Sequence, residues 1–224
     1  MRIGETSISP SLVTGTGNMD SIADDDGNSH GIIYFVRHGA TKLNRESGVA
    51  KDIIRGHLDV PLADSGYQEA HRVASQIKNS AVRTLFSSDL SRAAETARII
   101  AKSLRVTVSF CCDLRPWKLG PTIEGHFSDD VQHQIAYYFK NPDECPVGGE
   151  SFREFKGRVY GAIAKIRRQA RLGPSVIVTH FRCVKLFEAR TTHNTIDPQI
   201  FLSHGCPTGT IRILSRGIFG DFIQ

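Results

Sequence analysis

The chain has 224 residues, of which 40% are hydrophobic and 23% are charged, a composition typical of one globular domain with a sizeable core. No apolar run reaches the roughly 20 residues that a membrane helix needs, and the first residues lack the charged and apolar regions of a signal peptide. We therefore expect a cytoplasmic protein without a membrane partner.

The net charge of +5 is unevenly distributed, because residues 1–30 carry −4 and the remainder of the chain carries +9. The basic part has no long Lys/Arg run and no basic helix stripe, so small anionic substrates are favoured over nucleic acid. The chain has an odd number of cysteines and no C-x-x-C motif. This pattern predicts reduced thiols rather than a disulfide framework or a common zinc site. The cysteines are Cys111, Cys112, Cys145, Cys183 and Cys206.

The first predicted elements follow an acidic segment that is poor in apolar residues. Residues 1–30 are rich in Ser, Thr, Gly, Asn and Asp, and we expect a disordered tail there, with Met19 as an alternative start. The domain is predicted to span residues 31–224. It begins with an apolar run, residues 32–36, that has the character of a strand buried on both faces. A helix capped by Asp64 or Ser65 follows.

The other predicted elements alternate between short apolar runs and amphipathic stretches. Strands are predicted at residues 84–87, 106–109, 175–179 and 210–214. Helices are predicted at residues 89–104, 131–139, 151–171 and 184–190, with Glu150 and Ser151 either capping the third of these or supporting the pocket. This alternation predicts an α/β fold, a three-layer sandwich with a mostly parallel sheet and helices on both faces.

Polar residues follow three of the predicted strands. Arg37 and His38 come after the first, Arg92 lies just beyond the second, and His180 ends the fourth. Parallel strands have their carboxyl ends at one edge, so we expect these four side chains to converge. The planar guanidinium group matches phosphate oxygens, and a histidine among arginines should remain neutral and nucleophilic. The predicted chemistry is phosphoryl transfer through a phosphohistidine.

Several motifs resemble those of the histidine phosphatase superfamily, the phosphoglycerate mutase-like branch 1. Five fragments occur in the family's order over roughly residues 31–215. They are R-H-G-x-T-x-x-N at 37–44, G-x-x-D-x-P-L-x-x-x-G at 56–66, S-x-L-x-R-A-x-x-T-A within 86–97, G-G-E-S at 148–151, and the strand ending in a histidine at 178–180.

The resemblance implies a role for each matching residue. His38 would be the nucleophile that carries the phosphoryl group. Arg37, Arg92 and His180 would form the phosphate pocket, and Asn44 would contribute hydrogen bonds to the substrate. The implied fold is the family's α/β sandwich with one antiparallel edge strand, and neither a metal nor another cofactor is implied.

The sequence departs from the family where a general acid is expected. In the segment that resembles L-x-E-x-x-x-G-x-x-E-G, the acid position is Pro116, which cannot donate a proton, and one residue is inserted before Glu124. A general acid typically contributes ~10²–10⁴ in rate. Either Glu124, our preferred residue, or Asp113 takes the role, or the enzyme works poorly or only on good leaving groups. Phe181 excludes the branch in which an aspartate follows the second histidine.

We therefore predict a metal-independent phosphomonoesterase of the histidine acid phosphatase type, which hydrolyses a small phosphorylated substrate through phospho-His38. One alternative is a phosphoglycerate-type mutase, although segment 111–150 is short for the extra cap sequence that mutases of this family usually carry. A second is a catalytically weak phosphate-binding or scaffold protein, suggested by Pro116. A third is nucleic-acid binding through the basic part of the chain. The sequence leaves the substrate and the oligomeric state open.

Overall fold

The computed structural model describes residues 32–44, 52–170, 173–189, 195–203 and 205–214. The predicted tail, residues 1–30, lies outside these ranges. Within them no helix is long and apolar enough to cross a membrane. The strands are β1 (Ile33–Arg37), β2 (Thr84–Ser87), β3 (Val108–Phe110), β4 (Ser175–Thr179) and β5 (Ile211–Leu214), and the helices are α1 (Asp64–Gln76), α2 (Ser91–Leu104), α3 (Ser128–Lys140), α4 (Phe152–Ala170), α5 (Phe181–Glu188) and α6 (Pro198–Leu202).

The strands form one sheet in the order β3-β2-β4-β1-β5. β1, β2, β3 and β4 are parallel, and β5 pairs antiparallel with β1 at the edge. The predicted α/β fold with a mostly parallel sheet is confirmed, as is the antiparallel edge strand that the resemblance implied.

Both faces of the sheet are covered, which explains the unbroken apolar run at the start of the domain. Ile33 and Phe35 pack into one core with side chains from α4 and α5, while Tyr34 and Val36 pack into a second core with α1 and α2. Successive side chains of a strand point to opposite faces, so a strand with helices on both sides must be apolar at every position.

The register of the central strands brings their carboxyl ends together. Arg37 lies opposite Thr179 in the β1–β4 pair, and Ser87 lies opposite Val178 in the β2–β4 pair. The pairing continues one residue beyond β1, because the His38 N–H donates to the Thr179 carbonyl at 3.0 Å. The chain therefore leaves three adjacent strands at nearly the same height.

Several helix starts differ from the sequence prediction, and three of them have a clear physical reason. The expected side-chain cap of α1 is wrong: Asp64 is already in the first turn, Ala63 is the N-cap, and neither Asp64 nor Ser65 caps the helix. α5 begins at Phe181 rather than at residue 184, because His180 is its N-cap and no linker separates it from β4. α6 was not predicted, although Asp197 accepts hydrogen bonds from two backbone N–H groups and Pro198 follows it, a recognisable helix start.

The start of α4 resolves the alternative left open for Glu150 and Ser151. Ser151 Oγ accepts from the Glu154 N–H at 3.1 Å, and Glu154 Oε2 accepts from the Ser151 N–H at 2.8 Å. This reciprocal pair is a capping box. Glu150 instead pairs with Arg158, at 2.5 Å, and so braces the segment that precedes the helix.

Candidate active site

A cavity of about 200 Å³ lies beyond the carboxyl ends of β1, β2 and β4. Its wall includes Arg37, His38, Arg92 and His180, the four residues that the sequence predicted would converge. All four side chains are buried, with between 1% and 5% of their surface exposed. The structure therefore brings together in one place the residues from three strand exits.

His38 is held with one ring nitrogen directed at the backbone. Its Nδ1 lies 2.7 Å from the Gly39 carbonyl oxygen. A carbonyl can only accept, so Nδ1 carries the proton and the lone pair of the neutral ring is on Nε2. The imidazole ring of His180 lies 5.1 Å away, centroid to centroid. His38 is thus fixed in the tautomer that a nucleophilic Nε2 requires.

The loop after His38 depends on two glycines that pack backbone to backbone. A Cβ atom on Gly39 would lie 2.3 Å from the Gly66 carbonyl oxygen, and one on Gly66 would lie 2.1 Å from the Ala40 carbonyl oxygen. Only glycine permits such an approach. The Gly39 N–H also donates to Thr96 Oγ1 at 3.0 Å. These contacts hold the loop that follows His38 against both α1 and α2. They thereby fix the position of the His38 ring.

Arg92 lines the cavity from the first turn of α2. Its Nη1 donates to the Leu58 carbonyl at 2.7 Å and its Nη2 to the Gly56 carbonyl at 2.8 Å. Arg37 uses Nη1 to bind the Cys206 carbonyl, and its guanidinium carbon lies 5.2 Å from the centre of the Phe181 ring. Both arginines are therefore positioned through backbone carbonyls and an aromatic ring rather than through carboxylates.

Three buried polar atoms on these side chains have no hydrogen-bond partner among the described residues. They are Nε of Arg37, Nε of Arg92 and Nδ1 of His180. The other ring nitrogen of His180, Nε2, lies 2.8 Å from Ser88 Oγ. A buried donor without a partner is energetically unfavourable, by about 1–3 kcal/mol or more for a charged group. The side chains around His38 are thus suited to an anion with several acceptor oxygens.

Burial and positive charge keep both histidines neutral. The pKa of His38 is well below its usual 6.5, first because the ring is buried and then because Arg92 and Arg37 lie close to it. The pKa of His180 is well below 6.5 for the same first reason, with Arg92 and His38 adding to the effect. Both directions agree with the prediction that a histidine among guanidinium groups is neutral near pH 7.

Two predicted site residues do not line the cavity. Asn44 is fully buried, and its Oδ1 accepts from the N–H and the hydroxyl of Thr41, so it shapes the loop after His38. Glu124 directs Oε1 to the N–H groups of Leu119 and Gly120, at 2.9 and 3.3 Å, and fills the space beside Gly56. The substrate contact expected of Asn44 and the acid role expected of Glu124 remain predictions.

Sequence reasoning missed three charged side chains in the cavity wall. Asp52 lines the cavity and accepts a long hydrogen bond, 3.4 Å, from Asn44 Nδ2. Arg55 lies close enough to help lower the pKa of both histidines. Arg182 enters from the first turn of α5. The available signal was proximity in sequence, since Arg55 adjoins the motif that starts at Gly56 and Arg182 follows His180 by two positions.

Comparison with known proteins gives a family match over most of the chain. A family model described as the histidine phosphatase superfamily, branch 1, matches residues 33–217. Phosphoglycerate mutase-like protein 4 of Arabidopsis thaliana is 35% identical over 169 residues, which cover 72% of this chain and 71% of that protein. A probable phosphoglycerate mutase, GpmB of Salmonella paratyphi A, is 29% identical over 153 residues, covering 66% and 68%.

Solved structures share the fold at lower sequence identity. A mycobacterial glucosyl-3-phosphoglycerate phosphatase complexed with VO3 is 22% identical, with a TM-score of 0.68 and coverage of 82% of this chain and 90% of that chain. The α-ribazole phosphatase of Shigella flexneri is 22% identical, with a TM-score of 0.64 and coverage of 81% and 89%.

Proposed function

Because the chain belongs to branch 1 of the histidine phosphatase superfamily, we propose that it is a phosphomonoesterase that works through a phosphohistidine on His38. The observation that carries the proposal is the set of buried, unpartnered polar atoms on Arg37, Arg92 and His180, which lie around a neutral histidine. A phosphate monoester supplies an electrophilic phosphorus for the histidine and acceptor oxygens for the surrounding donors.

The first step transfers the phosphoryl group to the protein. Nε2 of His38 forms a bond to phosphorus while the bond between phosphorus and the ester oxygen breaks, and a carboxylic acid gives its proton to the leaving oxygen and becomes a carboxylate. The Gly39 carbonyl holds the proton on Nδ1 and stabilises the positive charge that develops on the ring. Arg37 and Arg92 neutralise the charge on the transferring oxygens, so the scheme needs no metal ion for that purpose.

The second step returns the phosphoryl group to water. A water molecule attacks phosphorus, the bond between phosphorus and Nε2 breaks, and inorganic phosphate leaves. His38 recovers its neutral form, and the proton released by the water goes to the base left after the first step. The same carboxylate therefore serves as the acid in one step and as the base in the other.

Two carboxylates deserve testing as that proton carrier. Glu124 is the residue that we predict from the sequence, but it does not line the cavity and its Oε1 is engaged by two backbone N–H groups, which favours Asp52 over Glu124. Asp52 lines the cavity together with His38. Pro116, at the position where the family usually has an acid, also lines the cavity and has no proton to give. If neither carboxylate serves, only esters with good leaving groups will be hydrolysed.

A phosphoglycerate-type mutase is the second candidate, supported by the names of the Arabidopsis and Salmonella relatives. A mutase must keep water away from its phosphohistidine. Between β3 and α4 the described chain forms one short 3-10 helix, Cys112–Leu114, and α3. This limited cover favours hydrolysis.

Phosphoryl labelling tests the proposal most directly. The purified chain is mixed with a phosphate ester labelled on phosphorus, and protein-bound label is measured after quenching in base and in acid. We expect acid-labile, base-stable label on wild type, release of inorganic phosphate from p-nitrophenyl phosphate, and neither with His38→Asn. His71→Asn is the control, because His71 is exposed on α1, outside the cavity.

The outcomes separate the candidate functions. Label that persists and passes between phosphoglycerates indicates a mutase. Absence of both label and turnover in wild type excludes the enzyme and leaves a phosphate-binding or scaffold protein. Salt-sensitive retention on DNA that survives loss of Arg37 and Arg92 would indicate nucleic-acid binding.

A further inference from the structure

Arg182 is a buried cation in the cavity wall that the reaction above does not use. It is 7% exposed and lies in the first turn of α5. Its Nη1 donates to the Phe201 carbonyl at 2.7 Å, and its Nη2 lies 3.4 Å from Oε1 of Gln132. Both acceptors are neutral. Burial lowers the pKa of Arg182 to about 10, so the side chain is still charged at neutral pH.

The buried cations of the described residues differ in whether a carboxylate pairs with them. Lys185 is buried and pairs with Glu188 at 2.9 Å. The remaining buried cations of the described ranges are Arg37, Arg92 and Arg182, and none of them forms an ion pair with a carboxylate of those ranges. All three line the same cavity. Asp59 and Glu124 lie near enough to raise the pKa of Arg92, whereas burial is the cause that acts on the pKa of Arg182. A buried charge without a counter-ion is costly, so an anionic ligand is the natural partner of Arg182.

The position of Arg182 relative to Arg37 limits what can occupy both. The Phe181 ring centre lies 5.2 Å from the guanidinium carbon of Arg37 and 5.0 Å from that of Arg182. The two guanidinium groups are therefore no farther apart than the sum of these distances. Phe181 also lines the cavity. A small molecule with two anionic groups a few bonds apart can therefore contact both guanidinium groups.

We propose that Arg182 binds a second anionic oxo group of the substrate, a carboxylate or a second phosphate, while Arg37 and Arg92 hold the phosphoryl group that is transferred. The substrate is then a small phosphate monoester with a second negative group close to the ester. This inference rests on the proposed function, because it assigns the transferred phosphoryl group to the His38 end of the cavity. Gln132 positions the guanidinium group, since its amide also donates to the Leu202 carbonyl at 3.1 Å.

Matched pairs of esters test this proposal with the full chain. Phosphoglycolate is compared with ethyl phosphate for the carboxylate, and ethylene glycol bisphosphate with ethyl phosphate for the second phosphate. We expect wild type to prefer at least one of the doubly anionic esters by about 10- to 100-fold in kcat/KM, the range for a hydrogen bond between charged groups. Which pair shows the preference identifies the second group.

Arg182→Met should reduce the ratio of kcat/KM between the doubly anionic ester and ethyl phosphate to about one. Arg98→Met should leave this ratio unchanged. Arg98 is a suitable control because it also stacks on a phenylalanine, with its guanidinium carbon 5.4 Å from the Phe110 ring centre, but lies outside the cavity. A purely structural Arg182 would instead lower the unfolding temperature and the rates on all esters while the preference persisted, which would overturn the proposal.

Binding measurements separate failure of this inference from failure of the proposed function. If wild type hydrolyses none of the esters, the proposed function fails, and calorimetry with phosphoglycolate and ethyl phosphate still tests the subsite. Tighter binding of phosphoglycolate that Arg182→Met removes supports the subsite. Equal binding of the two esters, and of the bisphosphate, overturns it.

Discussion

The imidazole rings of His38 and His180 lie 5.1 Å apart, although they follow strands from opposite ends of the domain sequence. The contact arises because β1 and β4 are paired in parallel and each histidine follows the last residue of its strand. Both rings are 2% exposed and lie beside Arg92. Two neutral histidines in a positively charged, buried site have measurable consequences for stability and for catalysis.

Stability should fall as pH decreases below about 6.5. The pKa of each histidine is lower in the folded state than in the unfolded chain, so acid protonates the unfolded state first. Each histidine then lowers the free energy of unfolding by up to about 1.4 kcal/mol per pH unit, until the pH reaches its folded pKa. Denaturant unfolding between about pH 7.5 and 5.5 measures this slope.

The histidine variants make that prediction specific. His180→Asn should flatten the pH dependence, whereas His71→Asn should leave it as in wild type because His71 is exposed. An equal slope in wild type and His180→Asn would show that the buried ring does not resist protonation.

Arg92→Lys should be severely impaired although it keeps the positive charge. Lysine cannot reproduce the forked geometry by which Arg92 binds the Leu58 and Gly56 carbonyls. We expect kcat/KM for p-nitrophenyl phosphate to fall by about 10²–10³, the range for losing one preorganised transition-state donor. Arg98→Lys, on the exposed side of the same helix, should retain wild-type kcat/KM. Full activity of Arg92→Lys would show that Arg92 does not bind the transferred phosphoryl group.

The proton donor can be identified by the dependence of the rate on the leaving group. Loss of a general acid slows alkyl phosphates by about 10²–10⁴ but has a much smaller effect on p-nitrophenyl phosphate, whose leaving group needs no proton. We expect this selective loss from Asp52→Asn, since Asp52 lines the cavity. Glu124→Gln should slow both esters alike and lower the unfolding temperature, because Glu124 secures the loop at Leu119 and Gly120. Selective loss from Glu124→Gln instead would assign the acid to Glu124.

Arg158 should support the cavity wall from outside. Its guanidinium group donates to the carbonyls of Asp113, Arg115 and Pro116 and pairs with Glu150. Arg158→Met removes these hydrogen bonds and the ion pair, and we expect a loss of about 2–3 kcal/mol in the free energy of unfolding.

A surface ion pair on the same helix provides the control for Arg158. Arg153 pairs with Asp143, and both side chains are exposed, so Arg153→Met should barely change the denaturation midpoint. Similar midpoints for the two variants would mean that Arg158 does not brace the wall.

The sequence was most informative where a buried strand ends in polar residues. The apolar runs before His38 and His180 identified the two central strands, because only a strand covered on both faces is apolar throughout. The motif around Arg92 placed a third strand exit at the same edge. The sequence was less informative about where helices begin. The predicted cap of α1 is wrong because Ala63, which has no capping side chain, occupies the N-cap.

The sequence alone determined the fold class and the convergence of Arg37, His38, Arg92 and His180 on one cavity, since both follow from local apolar patterns and from the rule that parallel strands end at one edge. Only the tertiary structure decided which other groups share that cavity. Asp52, Arg55 and Arg182 line it, whereas Asn44 and Glu124 turn to the backbone of their own loops. Loops carry no periodic pattern, and the direction of their side chains depends on packing between segments that are distant in sequence.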